Sequence, residues 1–341
     1  MEGTSKNGIH RAVFWPAAII VLVFAALAII APEASERAFA SVQGTIVANF
    51  NWYYVLIAAA FVVFCLWMGF SRFGDIKLGR DDDEPEFSVL SWFSLLFAAG
   101  MGIGLVFYGV SEPLSHFVSP RPGVEGTPAQ LAQQAMSQTF LHWGVHAWSI
   151  YVVIGLALAY AIHRRRRPIS IRWTLEPLLG RRVRGRWGDA IDVIALVGTL
   201  FGVATSLGLG VLQISAGLDS AGIVDPTETM DVILILIITC FVLFSVVSGV
   251  TKGMKWLSNA NLMLAAVILA FVLFAGPTQF LLREFVQSIG TYLQGFIGAS
   301  LNVSAFSGAD GEAWQASWTT FYWGWWISWA PFVGVFIARI S

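Results

Sequence analysis

Charge is what this chain has least of. Asp, Glu, Lys and Arg make up only 12% of its 341 residues, about half the roughly 25% that soluble domains carry. A net charge of −1 carries no signature of a nucleic-acid partner. Cysteine is also scarce. Cys65 and Cys240 both fall in apolar runs, so they read as buried free thiols and exclude a disulfide framework. No low-complexity segment and no separable soluble domain interrupts the sequence. A cleavable leader is not evident, because the first apolar run is too long for one and lacks a clear small-residue cleavage site.

What the chain has instead is apolar residue, 57% of the total, with a mean hydropathy of +0.71. It is arranged in blocks of about 20, the length that crosses roughly 30 Å of hydrocarbon. Eight spans are predicted, at residues 13–31, 51–70, 89–110, 139–162, 190–215, 230–249, 257–276 and 316–338. Residues 33–49 and 278–300 read as amphipathic rather than spanning. The second of these either lies along the outer interface or packs on the bundle. With the N-terminus inside, the inside segments hold 17 of the 20 basic residues and the outside segments only Arg37, Arg121 and Arg283. That bias predicts a cytoplasmic N-terminus, with Arg164–Arg167 as a topology anchor.

Two tryptophan-rich stretches lie inside these runs. In the fourth span Trp148 and Tyr151 are three apart and share a helix face, and Trp143 is off that stripe but placed to close a box from above. In the eighth, Trp325 and Trp326 each pair with Trp329 at helical spacing, and Tyr322 extends the Trp326 stripe. An interfacial belt accounts for Trp314 and Trp318 but poorly for the deeper Trp325, Trp326 and Trp329. Aromatic faces attract a cation that has no N–H to donate, such as a trimethylammonium group. The expected ligand is therefore a quaternary ammonium compound.

Glycine is the third signal. Gly100, Gly102 and Gly104 alternate around Met101 and Ile103 in the third span. Glycine weakens a helix by about 1 kcal/mol relative to alanine, and an unwound segment survives in lipid only against protein or a cavity. Freed carbonyls there can hold a cation, and a half-helix N-terminus favours a carboxylate. Close helix packing through small residues is the competing explanation. A related break is expected at Ser206–Gly210, with Thr199 and Thr205 nearby as oxygen ligands. His142 and His146, four apart, raise metal or haem binding as an alternative. No Cys or acidic cluster joins them, so packed histidines are the simpler expectation. No catalytic residue is assigned.

The stretches Ser71–Gly79 with Asp82–Ser88, Gly100–Pro113, His142–Tyr151, Lys252-Gly253 with Leu257–Asn259, and Trp318–Ser341 together resemble the betaine/choline/carnitine transporter family. The resemblance implies an all-α, LeuT-like inverted-repeat transporter of twelve spans, eight of them present. Residues 1–12 would be a cytoplasmic tail and 13–88 two peripheral helices with their loop. Residues 89–276 would form the first five-helix repeat, 277–315 an extracytoplasmic connection, and 316–341 the opening helix of the second repeat. It implies an aromatic box of Trp143, Trp148, Tyr151 and Trp326, with Trp325 and Trp329 close by, and a substrate carboxylate held near Gly100, Met101, Gly102 and Gly104. It implies sodium as coupling ion, at Ala98 and Met101 and at Thr199 and Phe332. Four residues after Thr199 it implies a second threonine, where this chain has Val203. Proton-coupled choline carriers of the family tend to carry Asp at the position of Gly104, so glycine here matches the sodium-coupled glycine betaine type. No unpaired acidic residue lies deep in the eight spans, which fits a zwitterionic substrate. Sodium symport of an osmoprotectant into bacteria across the inner membrane, a homotrimer, and no transport by the 341-residue form alone complete these expectations.

Overall fold

The computed structural model describes residues 9–79, 81–82, 84–100, 102–248 and 253–341, and every regular element among them is helical. The first helices are α1 (Arg11–Ile30), α2 (Pro32–Phe70), α3 (Val89–Gly100), α4 (Ile103–Val118), α5 (Pro128–Trp143) and α6 (Val145–Ala159). After the short α7 (Glu176–Leu179) come α8 (Arg186–Ser220), α9 (Glu228–Ser248), α10 (Lys255–Ala275), α11 (Thr278–Ser300), α12 (Gly308–Gln315) and α13 (Phe321–Ile340). Among the described residues, six stretches are long and apolar enough to cross a membrane: Arg11–Ile30, Pro32–Phe70, Pro128–Arg164, Arg186–Ser220, Glu228–Ser245 and Lys255–Ala275. The chain is thus a multi-pass membrane protein. α3 is apolar but only 12 residues long.

Most predicted spans coincide with helices, and three differences have physical causes. Residues 33–49 are not a separate amphipathic segment. Pro32 starts a helix at its first turn, where its missing N–H costs nothing, and no second proline follows within it, so α2 runs through Gly44 for 39 residues. The break expected at Ser206–Gly210 is absent, because α8 is helical without interruption over 35 residues. Glycine permits a break but does not enforce one, and the Thr205 hydroxyl bonds back to the Phe201 carbonyl within the helix. The fourth span is longer than expected, since a capping box closes the start of α5: Thr127 accepts from the Gln130 N–H while the Gln130 side chain returns to the Thr127 N–H.

The thiols also differ from expectation. Cys65 is half-buried, with Sγ 3.6 Å from the Ser149 carbonyl, but Cys240 is exposed on α9. Within the arginine-rich loop, Arg164 pairs with Asp81 at 2.8 Å and Arg167 with Glu176 at 2.6 Å. Arg172 is bound to Asp192 at 2.6 Å and Asp189 at 2.7 Å. Burial works against the Arg172 charge, but the hydrogen bonds it donates to the two carboxylates, and their charge, outweigh it and hold the guanidinium pKa above its usual value.

The core lies where α6 meets α13. A side chain at Gly334 would come within 2.5 Å of Ile154, and one at Gly155 within 3.4 Å of Ile337. These two glycines let the helices approach closely. Leu141, Ile150, Tyr151, Tyr322, Trp323, Trp326 and Val333 fill the centre.

Candidate functional site

Two backbone interruptions create the site. Between α3 and α4 the chain is extended at Gly102 (φ −89°, ψ 177°). This is the break anticipated from the alternating glycines. Met101 lies outside the described residues. Between α5 and α6 the ladder is interrupted at Gly144 (φ −94°, ψ −129°), where a Cβ would meet the Phe140 carbonyl oxygen at 2.5 Å. That interruption removes Trp143 from the register of α6. A third irregularity, a π-helical turn at Ala316–Thr320, precedes α13 and resets the face its tryptophans present.

The result is a cavity of about 270 Å³ lined by Ala98, Gly100, Gly102, Gly104, Trp143, Tyr151, Trp325, Trp326, Trp329 and Phe332, with Ser206 and Ser258 among the rest of its wall. The Trp143 and Trp326 rings meet edge to face with centroids 4.9 Å apart, and Tyr151 stands edge-on to Trp326 at 6.1 Å. Trp325 stacks on Trp326 at 4.8 Å. No charged side chain is among the described residues that line it. Such a space, apolar, aromatic and closed by glycine backbone, suits a small cation without N–H groups.

Most of the residues anticipated from sequence converge here, and two do not line the cavity. Trp148 packs behind it, its ring against the bare Cα of Gly100 and edge-on to Tyr151 at 6.1 Å. Thr199 sits on α8 beside Gly198 and Gly202, the glycines that face Ser328 and the Trp329 ring. The belt reading fails for Trp314. Trp314 is buried, and its ring and that of Trp318 pack on His116, with centroids at 5.4 and 4.4 Å.

Sequence reasoning missed Glu112. It is fully buried and accepts from four groups: His142 Nδ1 (2.6 Å), His116 Nε2 (3.2 Å), Trp143 Nε1 (2.6 Å) and the Tyr322 hydroxyl. Glu112 lies two residues past the predicted end of the third span, within α4, and it is fully partnered. Its signal in the sequence was an acid four residues before a histidine in an apolar stretch, a pair that shares one helix face. Glu112, His116 and His142 bring three ligand-type atoms within 4.8 Å of one another. The donors already on both carboxylate oxygens make this a hydrogen-bond hub. The haem alternative loses its geometry. His142 Nδ1 is held by Glu112, and its Nε2 lies 3.0 Å from the Thr319 hydroxyl and from Gln138. His146 finds no partner for either ring nitrogen among the described residues, yet its ring is packed against Trp323 and Phe296, each at 5.2 Å.

These features describe a multi-pass membrane protein that encloses a small aromatic cavity between interrupted helices. A family model described as betaine/carnitine/choline family transporter matches residues 12–341. The chain belongs to this family, whose members are transporters and not enzymes. It is 52% identical over 98% of its length to an uncharacterised transporter of Mycobacterium tuberculosis, covering 56% of that protein. It is 45% identical over 96% of its length to a glycine betaine transporter of Bacillus subtilis, covering 64% of it. With an osmo-dependent choline transporter of Acinetobacter baylyi it shares 40% identity over its whole length, and 49% of that protein is covered. The chain thus spans about half the length of the curated relatives it matches.

Proposed function

We propose that this chain supplies the substrate cage of a secondary transporter that takes up glycine betaine, or a closely similar quaternary ammonium solute, by sodium symport during osmotic adaptation. The observation that carries the reading is the uncharged aromatic cavity beside the interrupted α3–α4 segment. Trp143, Tyr151 and Trp326 face the trimethylammonium group, with Trp325, Trp329 and the more distant Trp148 completing and bracing the cage. Each such contact contributes about 2 kcal/mol when desolvated. The α4 N-terminus at Gly102–Gly104, with neighbouring Gly100 and Met101, takes the carboxylate. A zwitterion brings its own counter-charge, which fits a wall without acidic side chains among the described residues. Ala98 and Met101 are the proposed ligands of one sodium ion, and Thr199 and Phe332 of another. The proposed architecture is the LeuT-like inverted repeat, with residues 89–276 as the first repeat and 316–341 opening the second. We place the N-terminus in the cytoplasm of a bacterial inner-membrane protein that assembles as a trimer.

Uptake of labelled glycine betaine into vesicles, with and without an inward sodium gradient, tests the reading in the protein extended to its relatives' full length. Sodium-dependent uptake that Trp326→Leu abolishes, with membrane insertion intact, is the expected result. Unchanged uptake in that variant refutes the cage. A second reading, exchange or proton-coupled transport of choline or carnitine, draws support from the relative named as a choline transporter, and uptake indifferent to sodium would favour it.

A further inference from the structure

We infer that Glu112, which does not line the cavity, sets the cage's preference for a cation by holding the indole N–H of Trp143 with a full negative charge. This rests on the aromatic-cage reading above and deepens it.

The charge state follows from hydrogen-bond bookkeeping. A carboxylate has about four acceptor positions. At Glu112 they are all used, two donors on each oxygen: the His142 and His116 ring nitrogens on Oε1, and the Trp143 indole and Tyr322 hydroxyl on Oε2. Trp143 has no choice, since an indole nitrogen only donates. The Gln138 amide and the Thr319 hydroxyl at His142 Nε2 make Nδ1 its donor to Oε1, so an imidazole, an indole and a phenol N–H or O–H together favour the ionised carboxylate over the neutral acid at a side chain that is 0% exposed. The site is therefore built for the ionised form.

The two cage tryptophans differ in what holds them. Trp326 donates to a neutral acceptor, the His142 backbone carbonyl, at 2.9 Å. Trp143 donates to the charged Oε2 at 2.6 Å. A hydrogen bond to an ionised acceptor is roughly twice as strong as a neutral one. Drawing the N–H proton toward an anion pushes electron density back into the indole ring, and the ring face is what attracts the cation. The anion also acts directly through the ring in a low-dielectric surrounding. Glu112 thus supplies negative potential to the cage without exposing a carboxylate that a metal ion or a primary amine could seize. It is a positioning and polarising residue.

Binding to purified whole gene product, followed by tryptophan fluorescence, separates the possibilities. The two probes are glycine betaine and tert-butylacetate, its uncharged-headgroup carbon isostere. Glu112→Gln keeps an acceptor for the indole and removes the charge. The expected result is a loss of betaine affinity of up to about 25-fold, the scale of one desolvated cation–π contact, with affinity for the isostere unchanged. The loss should shrink when Glu112→Gln is made on Trp143→Phe, which has no N–H to polarise, and the remainder measures the anion's direct action through the ring. Equal weakening of both probes, or no weakening of either, overturns the inference. Should Glu112→Gln fail to fold, Tyr322→Phe gives an opposite-signed test. It removes a competing donor from Oε2, so the selectivity for betaine over the isostere should rise, and a fall refutes the idea. If wild-type protein itself shows no preference for betaine over the isostere, the cage reading fails. If wild type shows the preference and the variants do not change it, only the role of Glu112 fails.

Discussion

Three alanine substitutions in one short segment should give three different outcomes, because each glycine faces something different. At Gly102 a methyl group meets no described residue within 4 Å and points into open space at the cavity wall, and the extended backbone there suits any residue. Gly102→Ala should therefore leave thermal unfolding within about 0.5 kcal/mol of wild type, so any loss of betaine affinity reports the carboxylate held at the α4 N-terminus. At Gly104 the methyl lies 2.9 Å from Trp325 Cη2 and 3.2 Å from Trp143 Cη2. Ordinary carbon contacts begin near 3.5 Å, so Trp325 must retreat by roughly half an ångström. Trp325 is stacked on Trp326, so that displacement enters the cage. Overpacking of this kind costs about 1–3 kcal/mol, which predicts a loss of affinity of roughly 5- to 150-fold at 1.4 kcal/mol per decade. At Gly100 the methyl would overlap the Trp148 ring itself, and Tyr151 stands edge-on to that ring. Gly100→Ala should be the most damaging of the three. The assay is betaine titration by tryptophan fluorescence on detergent-purified protein, with thermal unfolding to separate binding from stability. Equal effects at the three positions would refute the argument, since the contacts a methyl meets there run from none among the described residues to overlap with a ring.

Other outcomes follow from the same geometry. Gly334→Leu should separate α6 from α13, since even a Cβ comes within 2.5 Å of Ile154, and a drop in melting temperature together with lost betaine binding is expected. Arg172→Ala leaves the Asp189 and Asp192 carboxylates without their shared guanidinium, and breaking such a partly buried cluster should destabilise by about 3 kcal/mol, read as a lowered denaturation midpoint. His146→Phe replaces a buried ring whose two nitrogens lack partners among the described residues with one that needs none. It should be neutral or stabilising by about 1 kcal/mol in thermal unfolding, and strong destabilisation would show that those nitrogens are satisfied in the membrane.

Much of the cage was legible because aromatic rings at helical spacing and glycines at alternate positions are local patterns. Trp325, Trp326 and Trp329 could be placed on one helix before any fold was known. Gly100–Gly104 marked an interruption for the same reason, since a backbone without Cβ cover is visible residue by residue. The identical signal at Ser206–Gly210 misled, because a helix whose ladder is otherwise complete absorbs its glycines. Residues 33–49 misled in the opposite direction, since their polarity hid a helix that α2 simply continues.

The sequence by itself determined that this chain crosses a membrane several times, which residues carry the aromatic faces, and where the third span must part. Those are properties of composition and short-range period, and hydrocarbon leaves the backbone few ways to satisfy its polar groups. The tertiary structure decided what converges: that Trp148 stands behind the cavity and not in its wall, that Trp314 packs on His116 and not in lipid, and that Glu112 gathers donors from α4, α5 and α13. Such a hub depends on partners up to 210 positions apart, and a distance of that kind is set by helix packing, which no local pattern encodes.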